Sequence, residues 1–430
     1  MRRIASTIVT ALILLLPAAG ATAAQVTAIK AGRLVDTESG QVLTDQIILV
    51  RDTRIEAVGK GLAIPDGAQI IDLSARTVLP GLIDCHTHLT DPVWETDPLA
   101  ELRMTAAQKA FGSIPNARAT LLAGFTTVRD VGTYRALVDV ALRDAIAHGD
   151  VIGPRMYVAG AYITISGGGG ALTGYAPDIE LPWDLRFGIA NGPWQVRERI
   201  RQLANQGVDL IKIIATGAVL THGSNPRAVE FTPEEMQAAV DEARKFGLRV
   251  AAHAHSAQGI KDATRAGVAS IEHGTFLDDE GIALMKEHAT YLVADIYDDE
   301  YIQGEGKQKG EPEDFLEHDK ELGRIQRENF RKAAKAGVKM AFGTDAGVYP
   351  HGDNAKQFPF MVQYGMTPMS AIQSATMGAA DLLGHSDELG SIRAGKFADI
   401  IAVAGDPLKD VSVLEHVVFV MKDGRVYKRE

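Results

Sequence analysis

Asn205-Gln206-Gly207-Val208-Asp209-Leu210-Ile211-Lys212-Ile213-Ile214 holds the repeating phrase of this chain. A helical stretch ends on a glycine and a β-branched run follows. Glycine is favoured just past a helix because it accepts the left-handed conformation that ends one. The phrase returns four times. Leu122-Ala123-Gly124 leads into Phe125-Thr126-Thr127-Val128, and Lys245-Phe246-Gly247 into Leu248-Arg249-Val250-Ala251. Arg265-Ala266-Gly267 leads into Val268-Ala269-Ser270-Ile271, and Lys335-Ala336-Gly337 into Val338-Lys339-Met340-Ala341-Phe342. Repeated helix–Gly–strand units imply parallel strands covered by helices. Three more runs read as strands: Thr77 to Asp84, Arg155 to Ala159 and Thr290 to Ala294. The total is eight, which favours a closed α/β barrel over an open sheet.

Outward from this core the pattern changes. Val26-Thr27-Ala28-Ile29, Gln46 to Val50 and Arg54 to Val58 are short β-rich runs with turn residues between them. Asp399 to Val403, Val417 to Val420 and Arg425-Val426-Tyr427 repeat that texture at the other end. The expectation is a (β/α)8 TIM barrel over residues 78–394. A small β-sandwich is expected from 25–77 together with 395–430. The 430 residues suit this division, since a barrel takes about 250 residues. Residues 1–24 read as a signal peptide: Arg2 and Arg3, an apolar run from Ile8 to Ala19, then Ala21-Thr22-Ala23-Ala24. The run falls short of the ~20 residues that span a bilayer. A secreted or periplasmic protein is therefore expected, with no membrane contact after cleavage. The net charge of −11 and the lack of a long basic run argue against nucleic acid as a partner. The single cysteine, Cys85, excludes an intramolecular disulfide. Exposed barrel helices make a homo-oligomer the expected assembly.

Active sites of such barrels lie at the carboxyl ends of the strands. His86 and His88 follow the first strand, two residues apart and so on one face. Lys212 lies in the fourth strand, an apolar run in which an unpaired ammonium is costly. His253 and His255 end the fifth strand, His273 the sixth and Asp345 the eighth. A lone histidine is more often a hydrogen-bonded core residue than a ligand. The shared level of these side chains is what points to a metal, and imidazole with carboxylate suits zinc or a similar divalent ion. His255 could share the inward face with His253 and contact a substrate carbonyl, or support from behind. Tyr162, His222 and Arg227 are candidates for a substrate carboxylate, with packing as the alternative for Tyr162. His351 either joins the site or orders its loop. Cys85 alternates away from both histidines and is expected to pack in the barrel. Trp94, Trp183 and Trp194 are read as loop residues near the mouth. Two long loops are candidate lids: the segment from Ser166-Gly167-Gly168-Gly169-Gly170 to about Pro193, and the charged, glycine-containing stretch from Asp298 to Asp319.

The set His86-x-His88, Lys212, His253, His273 and Asp345 resembles the binuclear amidohydrolase superfamily. Leu79-Pro80-Gly81-Leu82-Ile83-Asp84 before the first ligands belongs to the same likeness. So do Leu389-Gly390-Ser391-Ile392 and Ala394-Gly395-Lys396 near the return to the sandwich. The resemblance covers nearly the whole chain after the leader. It is strongest to secreted Xaa-Pro dipeptidase-like and ochratoxin-hydrolysing amidohydrolases. It rests there on Val250 to His255, Ser270 to Thr275, Gly343 to Gly347 and Pro350-His351-Gly352. Relatives often carry a histidine in the glycine-rich segment after the third strand; this chain has four glycines and no histidine there.

The resemblance implies that Lys212 is carboxylated by CO2 and bridges two metal ions. His86, His88 and Asp345 would hold one ion, and His253 and His273 the other. A hydroxide bridging the ions would attack the amide carbonyl. Asp345 would pass its proton to the leaving amine, which makes Asp345, Lys212 and His255 the catalytic candidates. The implied substrate is a small-molecule amide: a dipeptide or an N-acyl amino acid with a free carboxylate, a class that includes ochratoxin A. Hydrolysis of a cyclic amide or lactone, as in imidazolonepropionase-like or lactonase-like relatives, is the competing enzyme reading. A non-catalytic scaffold on the same fold is disfavoured, since every ligand position is filled.

Overall fold

The computed structural model describes residues 26–91, 97, 99–221, 223–311 and 313–430. The leader segment, Trp94 and His222 lie outside the described residues.

The two termini build one mixed sheet of seven strands. β1 (Val26–Asp36), β2 (Gln41–Arg51), β3 (Arg54–Lys60) and β4 (Gln69–Pro80) come from the start of the chain. β13 (Ile400–Val403), β14 (Val417–Lys422) and β15 (Arg425–Arg429) come from its end. The spatial order is β15-β14-β13-β4-β1-β2-β3, so β13 pairs antiparallel with β4 and joins the two ends. The sheet curls back on itself. Ile55 N–H donates to the Lys396 carbonyl and Ala398 N–H to the Thr53 carbonyl, both just ahead of β13. This closes a β-sandwich over a core of Ile29, Ile48, Ile71, Val78, Ile400 and Phe419.

β4 passes at Gly81 directly into β5 (Leu82–Thr87), the first barrel strand. β6 (Phe125–Asp130) and β7 (Arg155–Val158) follow in parallel. The third barrel strand breaks after β7 and resumes as β8 (Tyr162–Ile163), which pairs with β9 (Leu210–Ile214). β10 (Arg249–Ala254), β11 (Ser270–His273) and β12 (Tyr291–Val293) complete the second arc. The eighth segment forms no regular ladder, although its run of Val338 to Phe342 predicts one. It closes the barrel through single bonds instead. The Ala341 amide donates to the Leu292 carbonyl on one side, and the Cys85 amide to the Phe342 carbonyl on the other. Beyond it, Asp345 N–H donates to the His86 carbonyl at 2.8 Å. A side chain at Gly343 would place its Cβ 2.3 Å from Val293, so only glycine permits this close approach.

The five glycines of the repeating phrase, at 124, 207, 247, 267 and 337, all have φ between 71° and 99°. The left-handed helix ends read from sequence are therefore present. Strand alternation also holds. Ile211 and Ile213 pack outward into the main helix-covered core, while Lys212 and Ile214 line the barrel mouth. Cys85 is fully buried in a cluster with Ile83, Val293 and Ala341, as a packing residue.

The charged stretch 298–319 corrects the loop reading. It forms the helix Asp298–Lys309 and the start of the helix Glu313–Ala336. Glu300 in the first turn and Lys307 and Lys309 in the last match the helix dipole, and Gly310 caps the end. Trp194 also lies in a helix, Gly192–Asn205, and is 69% exposed. Trp183 opens a short helix and meets Phe187 edge-on. Neither tryptophan lines the mouth. Among the described residues no helix is long and apolar enough to cross a membrane.

Candidate metal centre

A cavity of about 280 Å³ opens at the carboxyl ends of the barrel strands. His86, His88, Lys212, His253, His255, His273 and Asp345 all line it. His86 and His88 stand on β5 and the residue just past it. Asp345 Oδ1 lies 3.3 Å from His86 Nε2 and 3.1 Å from His88 Nε2. The His253 and His273 rings are 4.4 Å apart, and the His86 and His273 rings 4.9 Å. The His255 ring stacks on His273 at 4.8 Å. Two groups can bring one donor atom each within 4.8 Å of one another: His253, His255 and His273, and His86, His273 and Asp345. Asp295, Asp298 and Asp345 form a third, carboxylate-only group.

His273 and Asp345 reach the centre from unusual backbone. Their φ values are +69° and +55°, a region that residues with a side chain seldom adopt. At His273 this turn explains how Glu272 and His273, adjacent in sequence, both project into the barrel.

The ring nitrogens are already assigned by their neighbours. His86 Nδ1 meets Glu272 Oε2 at 2.9 Å, and His273 Nδ1 meets Asp295 Oδ2 at 2.7 Å. His88 Nδ1 meets the Gly132 carbonyl at 2.8 Å, and His253 Nε2 the Gly217 carbonyl at 3.3 Å. These partners accept hydrogen bonds and so hold the proton on that nitrogen. The other nitrogen of each ring is the one left for a metal ion. His255 Nδ1 meets Thr275 Oγ1 at 2.8 Å, and burial beside His273 holds its pKa down to about 3, so it is neutral.

Burial opposes ionisation of Asp345, but His86 and His88 outweigh it and hold its carboxyl well below the usual range. Burial likewise opposes charge on His88, yet Asp345 raises its pKa to about 9. Lys212 is 1% exposed and its Nζ has no hydrogen-bond partner. Burial lowers its pKa to about 8. An amine with no partner, beside converging imidazoles and a carboxylate, is out of place in a structural core. The residues present fit a divalent metal centre and leave Lys212 available to complete it.

The substrate candidates separate. The Tyr162 hydroxyl lies 3.1 Å from His88 Nδ1 and 3.4 Å from Asp91 Oδ2, with the ring in the cavity wall against Tyr134. It braces a candidate ligand. Arg227 stands apart from the cavity, its guanidinium 4.0 Å over the Phe276 ring. His351 Nε2 donates to the His88 carbonyl at 3.2 Å and ties its loop to the first strand. The glycine-rich segment does reach the site. Gly169 and Gly170 line the cavity, and a Cβ at Gly170 would meet Ile214 at 2.6 Å. Sequence reading missed Glu272, Asp295 and Arg129. Each is a polar residue at the carboxyl end of a barrel strand, the same signal that found the histidines.

The cavity, its converging imidazoles and the barrel with its terminal sandwich define a class of metal-binding hydrolases. Residues 77–427 match the model of the amidohydrolase family, and the chain belongs to that family. It is 32% identical to the ochratoxinase of Aspergillus niger over 429 residues, covering 94% of this chain and 87% of that one. Among solved structures it is similar to a Xaa-Pro dipeptidase with methionine bound in the active site. The TM-score is 0.89 at 43% identity, over 94% of this chain and 100% of that one. A prolidase complexed with N-methylphosphonate-L-proline is also similar. Its TM-score is 0.87 at 30% identity, with the same coverage.

Proposed function

We propose that this amidohydrolase cleaves the amide bond of a dipeptide or N-acyl amino acid with a free carboxylate, using two divalent ions, zinc by preference. The observation that carries this reading is the convergence of His86, His88, Lys212, His253, His273 and Asp345 on one cavity. His86, His88 and Asp345 would hold one ion and His253 and His273 the other. Lys212, as a carbamate, would face both. When bound, such ions supply a water of lowered proton affinity and a Lewis acid for the carbonyl.

The chain's own groups do the rest. Asp345, ionised at neutral pH, would accept a proton and return it to the leaving nitrogen, which departs poorly as an anion. His255, neutral and held by Thr275, offers Nε2 to the substrate carbonyl. Leu172, Leu220, Ile302 and Val348 give the cavity an apolar wall that limits water around the reacting bond. The ochratoxinase, the Xaa-Pro dipeptidase and the prolidase among its relatives support an amide substrate.

The test is amine release, read by mass spectrometry, from zinc-loaded protein given dipeptides, N-acyl amino acids, lactones and cyclic ureides together. Cleavage confined to amides with a free carboxylate is expected. Lactone or ring opening with those amides untouched would overturn the substrate class. We also propose export after leader removal, on the N-terminal pattern, and self-association, on the exposed outer helices of the barrel. Retention of the full-length chain in the cytoplasm of an exporting host would contradict the first. A monomer by sedimentation at micromolar concentration would contradict the second.

A further inference from the structure

Two of the four candidate imidazole ligands are backed by carbonyls and two by carboxylates. The carboxylates are divided between the two proposed metal positions. Glu272 serves His86, and Asp295 serves His273. Glu272 is fully buried, and Arg129 fixes it with bonds of 2.8 and 2.9 Å to its two oxygens, joined by the Ser270 hydroxyl. Arg129 Nε also donates to the Cys85 carbonyl at 2.5 Å, so it ties the strand that carries His86 to the strand that carries His273. Asp295 is fixed differently. Gln326, on the helix Glu313–Ala336, donates to its Oδ1 at 2.9 Å and to the His273 carbonyl at 3.2 Å.

We infer that Glu272 and Asp295 are positioning residues that each set the strength of one metal position, so that the two positions can be weakened separately. A carboxylate behind an imidazole holds its tautomer, orients the ring and makes the far nitrogen a better donor. His88 has the Gly132 carbonyl and the Tyr162 hydroxyl behind it and His253 the Gly217 carbonyl, so each position owes its carboxylate support to one acid. Glu272 and Asp295 are supported by different groups, Arg129 with Ser270 for the first and Gln326 with Asp298 for the second, and neither supporting set touches the other acid in the structure. The inference rests on the two-metal reading proposed above.

The experiment uses the full chain as wild type, Glu272→Gln and Asp295→Asn. Each is stripped with a chelator and titrated with zinc against a competing chromophoric chelator, then refilled with cobalt(II) for its visible spectrum. Glu272→Gln leaves the buried Arg129 charge without its carboxylate, so the pair Arg129→Met/Glu272→Gln is measured beside it, and Asp295→Asn carries the test independently. The wild type is expected to show two binding events. Each variant should keep one at wild-type affinity and lose about 10–100-fold at the other. The cobalt spectra of the surviving positions should differ between the two variants. Equal affinity at both positions in Asp295→Asn, or loss at both in every variant, would overturn the inference while leaving two metals in place. A wild type that binds fewer than two ions would remove the two-metal reading and this inference with it.

Discussion

Lys212 is the residue whose state separates a metal enzyme from a packed barrel. Its Nζ is buried with no partner, although an unsatisfied buried group costs about 1–3 kcal/mol and a charged one more. Lys212→Met should therefore stabilise the metal-free protein by about that amount in urea denaturation. The same change should lower amide cleavage by more than about 100-fold, beyond what loss of an outer partner causes. Full activity in this variant would remove its role as a ligand. At this scale the sequence was informative about identity and silent about posture. The spacing His86-x-His88 and the placement of Lys212 could be read directly. The positive φ of His273 and Asp345 could not, because no local residue pattern encodes it. Such backbone costs about 1–3 kcal/mol at each position and persists because surrounding bonds impose it. Asp345 N–H on the His86 carbonyl and Gly274 N–H on the Ala254 carbonyl are two of those bonds. Arg227 was a candidate from its place in the loop after the fourth strand, and tertiary packing sets its guanidinium over Phe276.

At the scale of elements, the helices Asp298–Lys309 and Glu313–Ala336 bring buried acids to the cavity wall. Asp319 is 4% exposed and Asp299 5%. Burial raises the pKa of Asp319 to about 6 and that of Asp299 to about 7. The sign follows from proton binding. Between the unfolded value of 3.8 and about 6, the folded protein holds a proton on Asp319 that the unfolded chain has released. Its contribution to stability is thus fully present below pH 3.8 and is lost as pH rises through 6. Asp319→Asn mimics the protonated form and still accepts from Gln303, which donates at 2.8 Å. The variant should gain up to about 3 kcal/mol over wild type at pH 7.5 and little at pH 4. Denaturant melts at the two pH values check this; an equal difference at both would contradict it. The sequence concealed these helices because Gly304, Gly306 and Gly310 lower helix propensity in a short charged stretch. Packing of Ile302 and Leu322 overrode that preference. The helix–Gly–strand phrases, by contrast, were legible because one conformational requirement recurs in each.

For the whole molecule, the sandwich and the barrel are joined by charge as well as by the β4–β5 passage. Arg155 on β7 reaches Asp399 at 2.6 Å and also pairs with Asp423, and it lies 4.0 Å from the Phe397 ring centroid. Arg155→Met would leave Asp399, which is 8% exposed, without its cation. A loss of about 3–5 kcal/mol is expected in equilibrium denaturation, the usual result of breaking a buried pair from one side. A loss under about 1 kcal/mol would show that the joint is carried elsewhere. The pairing of the chain's two ends was inferable from their matching β texture, but the strand order that seats β13 against β4 was not. Pairing between segments more than 300 residues apart leaves no local trace. The central claim, that this architecture holds a two-metal hydrolytic centre, is tested most directly by titrating stripped protein with zinc while following amide cleavage and bound metal together. The account predicts no cleavage without metal, two ions bound per chain, and activity that appears as the second position fills. Amide cleavage by the metal-free protein, or full activity with one ion bound per chain, would contradict it.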